Sequence, residues 1–320
     1  MAKYRESLPQ LGGGLFLTDG GIETTLIFHD GLDLPDFAAF DLLGRPGGED
    51  ALRKYFRKYG ALAREYGTGL VLESATWRAN SDWGTKLGYS AGALAEANRN
   101  AVRLLEELRG EFEDGETSVV ISGCVGPRGD GYNPVNEMSD ADAQAYHRRQ
   151  IETFAGTAAD MVTAITMNYS EEAVGVTRAS RDAGIPVAIS FTVETDGRLP
   201  TGQTLKAAIE QVEAATSGYP AYFMINCAHP THFEDVLTEG EPWIRRIRSL
   251  RANASTKSHA ELNEATDLDA GDPAELGRLY ARLARWLPEL NVMGGCCGTD
   301  DRHVEQIAAA CAPLFRTRSR

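Results

Sequence analysis

Two hydrophobic periods alternate along the chain. Short runs of β-branched and other apolar residues end in glycine, proline or polar positions. Each is followed by a longer stretch in which apolar residues recur every three to four positions. The first pattern suits buried parallel strands and the second amphipathic helices. Strands are predicted at Leu15–Thr18, Leu70–Glu73, Val119–Gly123, Met161–Thr166, Val187–Phe191, Tyr222–Asn226, Ser249–Ala252 and Asn291–Met293. Helices are predicted at Glu49–Tyr66, Gly92–Arg109, Asp140–Ala158, Ser170–Ala183, Leu205–Ser217, Thr231–Ile247, Asp272–Trp286 and Asp301–Leu314. No linker or low-complexity run interrupts them, so residues 1–320 read as a single domain with a core from about 12 to 315. Eight strand-then-helix units give the fold class α/β. They suit a (β/α)8 barrel, and an open doubly wound sheet is the rival.

Local signals agree with these boundaries. Ser139 or Asp140 can cap the helix that follows, and Asp272-Pro273 reads as an N-cap with proline at the first helical position. Gly184 with Pro186 beyond it reads as a helix stop. Long insertions follow the first three strands, at Gly20–Gly48, Ser74–Ser90 and Cys124–Met138. In a barrel these would lie at the C-terminal face, where active sites are built.

Composition narrows the partners. The chain carries 46 acidic and 32 basic residues, a net charge of −14. Such a surface repels phosphate backbones, which argues against nucleic acid. No apolar stretch is long enough to span a bilayer, and the start of the chain, Met1–Leu11, has no apolar signal segment. Five cysteines are too few and odd in number for a secreted disulfide framework. A cytoplasmic protein handling small molecules is expected.

Three of those cysteines carry the chemistry. Cys227 ends the sixth predicted strand, in Ile225-Asn226-Cys227-Ala228, and Cys296 and Cys297 follow the eighth, in Gly294-Gly295-Cys296-Cys297-Gly298-Thr299. In a closed barrel those strand ends share one rim, so the three thiols can meet around one ion. Thiolates select soft metals such as zinc, and three protein ligands leave a fourth position open, as in catalytic zinc sites. A vicinal-dithiol redox pair is the other reading of Cys296-Cys297. Cys124 and Cys311 read as small buried residues, and His229 and His232 as residues that start a helix and face solvent or a neighbouring loop.

The chain resembles the homocysteine S-methyltransferase family of zinc-dependent barrels, related to the betaine–homocysteine and S-methylmethionine–homocysteine enzymes. The resemblance runs from about Leu15 to Ala312. Its strongest parts are Thr18-Asp19-Gly20-Gly21-Ile22-Glu23-Thr24, Asn226-Cys227 and Gly294-Gly295-Cys296-Cys297-Gly298-Thr299; Ser74–Asn80 matches less closely. It implies the barrel rather than the open sheet, zinc as cofactor, and Cys227, Cys296 and Cys297 as its ligands. It also implies a small-molecule thiol acceptor, most simply homocysteine giving methionine, and an onium-type methyl donor. Asp19, Gly20, Gly21, Glu23, Thr76 and Asn226 fall where substrate contacts are expected. A carboxylate of Asp19 or Glu23 would hold an ammonium group, and the amides of Gly20, Gly21 and Ile22 would receive a carboxylate. Trp77, Tyr132 and Phe191 are candidates to shelter a cationic donor by cation–π contact.

One departure stands out. Family members carry a Glu-Thr pair at the end of the fourth strand, where the glutamate helps bind the substrate ammonium. Here the segment reads Ala164-Ile165-Thr166, with Ile165 in the glutamate's place. Two alternative readings keep the metal site but change the chemistry. One is a zinc hydrolase or lyase, with Glu73 or His229 as base. The other is a non-catalytic subunit of a corrinoid-linked methyl-transfer system.

Overall fold

The computed structural model describes residues 1–237, 240–265 and 267–316. Eight parallel strands close into a barrel in the order of the chain, each paired with its sequence neighbour and the eighth with the first. They are β1 (Phe16–Leu17), β2 (Gly69–Glu73), β3 (Val119–Val125), β4 (Met161–Met167), β5 (Val187–Thr192), β6 (Tyr222–Asn226), β7 (Ile247–Ala252) and β8 (Val292–Gly295). Every predicted strand is therefore present, within a few residues at each end. The helices are α1 (Gly48–Tyr66), α2 (Ser81–Lys86), α3 (Ala91–Phe112), α4 (Asp140–Ala155), α5 (Ser170–Asp182), α6 (Leu205–Thr216), α7 (Pro230–Phe233), α8 (His259–Glu264), α9 (Pro273–Trp286) and α10 (Asp301–Arg316).

The punctuation acts as read. The Ser139 side chain accepts from the Asp142 amide at the start of α4, and Asp272 caps α9 through the amides of Ala274 and Glu275. Gly184 takes a left-handed conformation, φ +65°, just past α5. The predicted helix Thr231–Ile247 is a correction. Its place is taken by the single turn α7 and two 3-10 turns, Glu234–Val236 and Pro242–Arg246, and Ile247 opens β7. Gly240 sits at φ +83° and Pro242 supplies no amide donor, so an α-helix cannot run through them.

Strand alternation sorts the core into layers. Leu70, Leu72, Val119 and Ile121 belong to the main core, which also holds the helix residues Leu105, Phe154 and Val304. Phe16, Val71, Val120, Met161, Ala188, Tyr222 and Val292 form a second, smaller cluster with Leu8. The opposite set of neighbours on the same strands shows this cluster to be the barrel interior. Towards the C-terminal ends the buried residues turn polar. The Ser122 and Thr163 hydroxyls bond at 2.7 Å, and Glu73, Arg251 and Asn226 are all buried. An apolar floor under a polar mouth places the chemistry at the C-terminal rim, where the three long insertions also lie.

Candidate metal and substrate site

Cys227 follows β6, and Cys296 and Cys297 follow β8. The three sulfur atoms all lie within 4.8 Å of one another. Cys227 and Cys296 lie sulfur to sulfur, with Cα atoms 5.4 Å apart. Cys297 is a free thiol open to solvent. The whole set is the one that three ligands to a single soft ion require, and among the described residues it is the one cluster of metal-ligating side chains.

The backbone holds this set in place. Cys227 has a left-handed conformation, φ +54°, rare for a residue with a Cβ, and its amide donates to Arg251 O at 3.1 Å. The Asn226 amide nitrogen donates to Cys227 Sγ at 3.1 Å and to Thr166 Oγ1 at 2.9 Å. Its oxygen accepts from the Thr166 amide at 3.0 Å and from the Ser190 hydroxyl at 2.6 Å. All four of its polar contacts are internal, so Asn226 orients the thiol. Thr166 reaches it because β4 breaks register between Ala164 and Met167, with Thr166 at φ +65°. Ile165 lies buried in that break.

The loop after β8 is fixed at both ends. The Cys296 amide donates to Ala252 O at 2.8 Å and the Cys297 carbonyl accepts from the Ala254 amide at 3.0 Å. Gly298, at φ +79°, turns the chain so that the Thr299 hydroxyl can donate back to Cys296 O at 2.7 Å. Gly21 packs against this loop so closely that a Cβ there would meet Cys296 O at 2.5 Å. Its amide donates to Thr299 O at 3.0 Å. The three-amide nest expected from Gly20, Gly21 and Ile22 therefore lacks its middle member. The carbonyl of Gly20 accepts from Tyr55 and Arg251.

Asp19 and Glu73 meet in a buried ion cluster. Arg251, 6% exposed, reaches across from β7, with Nη2 2.6 Å from Asp19 Oδ1 and Nη1 2.9 Å from Glu73 Oε2. It also donates to Gly295 O, and the Tyr55 hydroxyl donates to Asp19 Oδ2 at 2.8 Å. One guanidinium cannot balance two desolvated carboxylates. Burial pushes Glu73 up to about 7, opposed by Arg251 and reinforced by Asp19. Burial raises Asp19 as well. Asp19 is thus already paired within the protein. Glu23 forms no such pair among the described residues; burial pushes it up to about 7 despite a backbone hydrogen bond, with Asp19 adding to the rise. Arg251 was not legible as a site residue, because its position in β7 looks like that of any strand-end residue until the barrel closes.

The remaining expected residues separate. Thr76 is buried, its hydroxyl bonded to Ser74 and donating to Cys124 O at 2.7 Å. Tyr132 reaches Cys297, hydroxyl to sulfur 3.7 Å, and stacks on His259 from the opposite side of the mouth with ring centroids 4.2 Å apart. Trp77 lies against Arg78. Phe191 is fully buried and stacks on Phe223 in the core, so it cannot shelter a donor. His229 is buried, not solvent-facing; it caps α7 by accepting from the Thr231 amide, and burial lowers it to about 4. Cys124 and Cys311 are buried as expected.

A closed (β/α)8 barrel with three convergent thiols at its C-terminal mouth defines a class of thiol-site barrel enzymes. Residues 16–311 match the model of the homocysteine S-methyltransferase family, and the chain belongs to that family. It is a methyltransferase. It is 25% identical to homocysteine S-methyltransferase 4 of Zea mays, over 93% of this chain and 90% of the relative. A 144-residue stretch is 31% identical to the methionine synthase of Mycobacterium leprae, covering 43% of this chain but 11% of that enzyme. The fold is similar to crystal structures of the homocysteine methyltransferase MmuM from Escherichia coli. The metallated form superposes with TM-score 0.69 at 17% identity, covering 93% of this chain and 96% of that one; the oxidised form gives 0.71 at 18%, covering 95% and 98%.

Proposed function

We propose that the protein transfers a methyl group from an onium-type donor, such as S-methylmethionine or betaine, to the thiol of homocysteine, giving methionine, with zinc held by Cys227, Cys296 and Cys297. The convergence of the three sulfurs within 4.8 Å carries this reading. An all-thiolate, three-ligand set suits zinc with one position open to a further sulfur. When bound there, zinc would supply a depressed thiol pKa, so that the acceptor is a thiolate at neutral pH.

The residues of the chain do the rest. Asn226 fixes the direction of Cys227, and Arg251 ties the Cys296-Cys297 loop to β1 and β2. Tyr132 reaches Cys297 from the loop after β3, and His259, stacked on Tyr132, supports it from the loop after β7. Bound substrates that displace water from the mouth favour a reaction in which an anionic sulfur and a cationic methyl donor neutralise each other. A carbon–sulfur bond forms to the acceptor, the bond from methyl carbon to the onium atom breaks, and the acceptor's proton leaves to solvent. Tyr132 offers an aromatic ring to the onium centre, while the Trp77 ring is taken up by Arg78. Glu23, free of an internal ion pair, is the carboxylate available to the substrate ammonium, a role that Ile165 cannot fill.

The reading also makes the protein a cytoplasmic enzyme of small molecules, with neither nucleic acid nor membrane as partner. Its acid surface supports this, and no helix among the described residues is long and apolar enough to cross a membrane.

The test is to incubate reduced, zinc-loaded protein with homocysteine and S-methylmethionine, or with homocysteine and betaine, and to measure methionine by mass spectrometry. Cys297→Ser serves as control. Methionine formed by the wild type alone supports the reading. Zinc-containing protein that forms none with either donor overturns it.

A further inference from the structure

Among the described residues three arginines are buried, and two of them are paired. Arg109 bonds Asp160 at 2.7 Å, and Arg251 holds Asp19 and Glu73. Arg78, equally buried at 6% exposure, makes no ion pair with a carboxylate among the described residues. Among the described residues its guanidinium has a single hydrogen bond, from Nη1 to Gly129 O at 3.1 Å, and its Nε is buried with no acceptor. The group is held between two indole rings, 4.0 Å from the centroid of Trp77 and 3.9 Å from that of Trp83. The Nε1 atoms of those two rings are also buried without an acceptor. The same spot thus gathers three orphan N–H donors and a guanidinium with no carboxylate bonded to it. A protein keeps such a group at a cost unless a ligand supplies the missing anion.

The place fits a substrate. Arg78 lies in the insertion after β2, and Asp130, Tyr132, Glu23 and Asp36 are the charged and phenolic groups whose field acts on it. Of these, Tyr132 touches Cys297, while Glu23 lacks an internal ion-pair partner. Stacking between two aromatic faces fixes the plane of the guanidinium, which leaves its edge donors aimed in one direction.

We propose that Arg78 anchors the carboxylate of a zwitterionic substrate, one carrying a carboxylate together with an ammonium or onium centre. The planar fork matches a carboxylate bidentately. Asp130, Glu23 and Asp36 act on the guanidinium through the field without bonding it, which disfavours a multiply charged phosphate and favours an anion that brings its own cation. Glu23 is the partner for that cation. This inference rests on the methyl-transfer reading for the identity of the substrates. Both the acceptor amino acid and the donor carry the required carboxylate, so the experiment separates them.

Binding is measured by calorimetry on reduced, zinc-loaded protein with one substrate at a time, so that no turnover occurs. The first pair of probes is L-homocysteine and its decarboxylated analogue 3-aminopropane-1-thiol. The second is S-methylmethionine and (3-aminopropyl)dimethylsulfonium. The wild type is expected to prefer the carboxylate member of one pair by about 10- to 100-fold. That pair identifies which substrate Arg78 holds. In Arg78→Met the preference falls to near unity, and Arg78→Lys restores part of it. The ligand-free Arg78→Met protein melts no lower than the wild type, because an unpaired buried charge is replaced by an apolar chain. A purely structural Arg78 would instead weaken both members equally and lower the melting temperature. A preference that survives Arg78→Met, or a wild type with none in either pair, overturns the assignment. Carboxylate-dependent binding without methionine formation would remove the methyl-transfer reading and leave the Arg78 site standing. Methionine formation with an unchanged ratio in Arg78→Met would do the reverse.

Discussion

The side-chain amide of Asn226 donates a hydrogen bond to the sulfur of its chain neighbour Cys227 at 3.1 Å, and the remaining polar contacts of the same amide lock it to β4 and β5. A thiol that ends one strand is thereby oriented by two others. Replacing Asn226 with Asp keeps the shape and an acceptor oxygen but removes the donor, and sets an oxygen against the sulfur. Asn226→Asp is expected to weaken zinc binding about 10- to 100-fold, as loss of an outer-shell partner does. Competition with a chromogenic chelator measures it, and unchanged affinity would show that Cys227 needs no such support.

The three thiols are expected to act as one unit. Cys227→Ser and Cys297→Ser should each reduce zinc from about one per chain to a trace after dialysis, and abolish methyl transfer. Cys124→Ala and Cys311→Ala, away from the cluster, should keep the metal and lose at most about 1–2 kcal/mol of stability from the small cavity left behind. Metal analysis beside each activity assay checks both halves. Zinc retained by Cys297→Ser would exclude that residue as a ligand.

Arg251 holds two carboxylates that are fully desolvated. Arg251→Met is expected to cost about 3–5 kcal/mol, because it strands buried charge. Chemical denaturation at neutral pH gives the number. A smaller loss at pH 5 than at pH 7.5 is also expected, since protonation of Asp19 or Glu73 relieves the stranded charge.

The pH dependence of the wild type follows from Glu73. Its carboxyl is raised by burial from 4.5 to about 7 in the folded state. Between those values the folded form binds more protons than the unfolded form, so this group's contribution to stability falls as pH rises from about 4.5 to 7. The slope approaches about 1.4 kcal/mol per pH unit at most. Glu73→Gln has no such titration. Across that range its stability curve should be flatter than that of the wild type, by melting temperature in a series of buffers. Parallel curves would show that Glu73 stays ionised beside Arg251.

Much of this molecule was legible in one dimension. Strand and helix periods marked all eight strands, because strands buried on both faces read as continuous apolar runs. Ser139, Asp272 and Gly184 marked helix ends through local hydrogen bonding and φ preference, which neighbours in sequence suffice to decide. The helix expected over Thr231–Ile247 failed for a local reason too, since Gly240 and Pro242 outweighed the apolar spacing around them. The Asn226-Cys227 and Cys296-Cys297 strings identified the thiol site, because thiolate chemistry is intrinsic to the residue and barrel closure follows from strand order.

What the chain order could not show is which charges cancel. Asp19 read as a free substrate carboxylate, but Arg251 lies 232 positions away in sequence and meets it only when β7 and β1 are brought around the same mouth. Phe191 read as a pocket aromatic, but the pleat of β5 turns it into the core. Arg78 read as one residue of a modest motif, and only its burial between two tryptophans without a counterion sets it apart. Periodicity and local capping are short-range properties and are written in the sequence. Pairing of buried charge depends on which side chains share a few ångströms of low-dielectric space, and the closed barrel alone decides that.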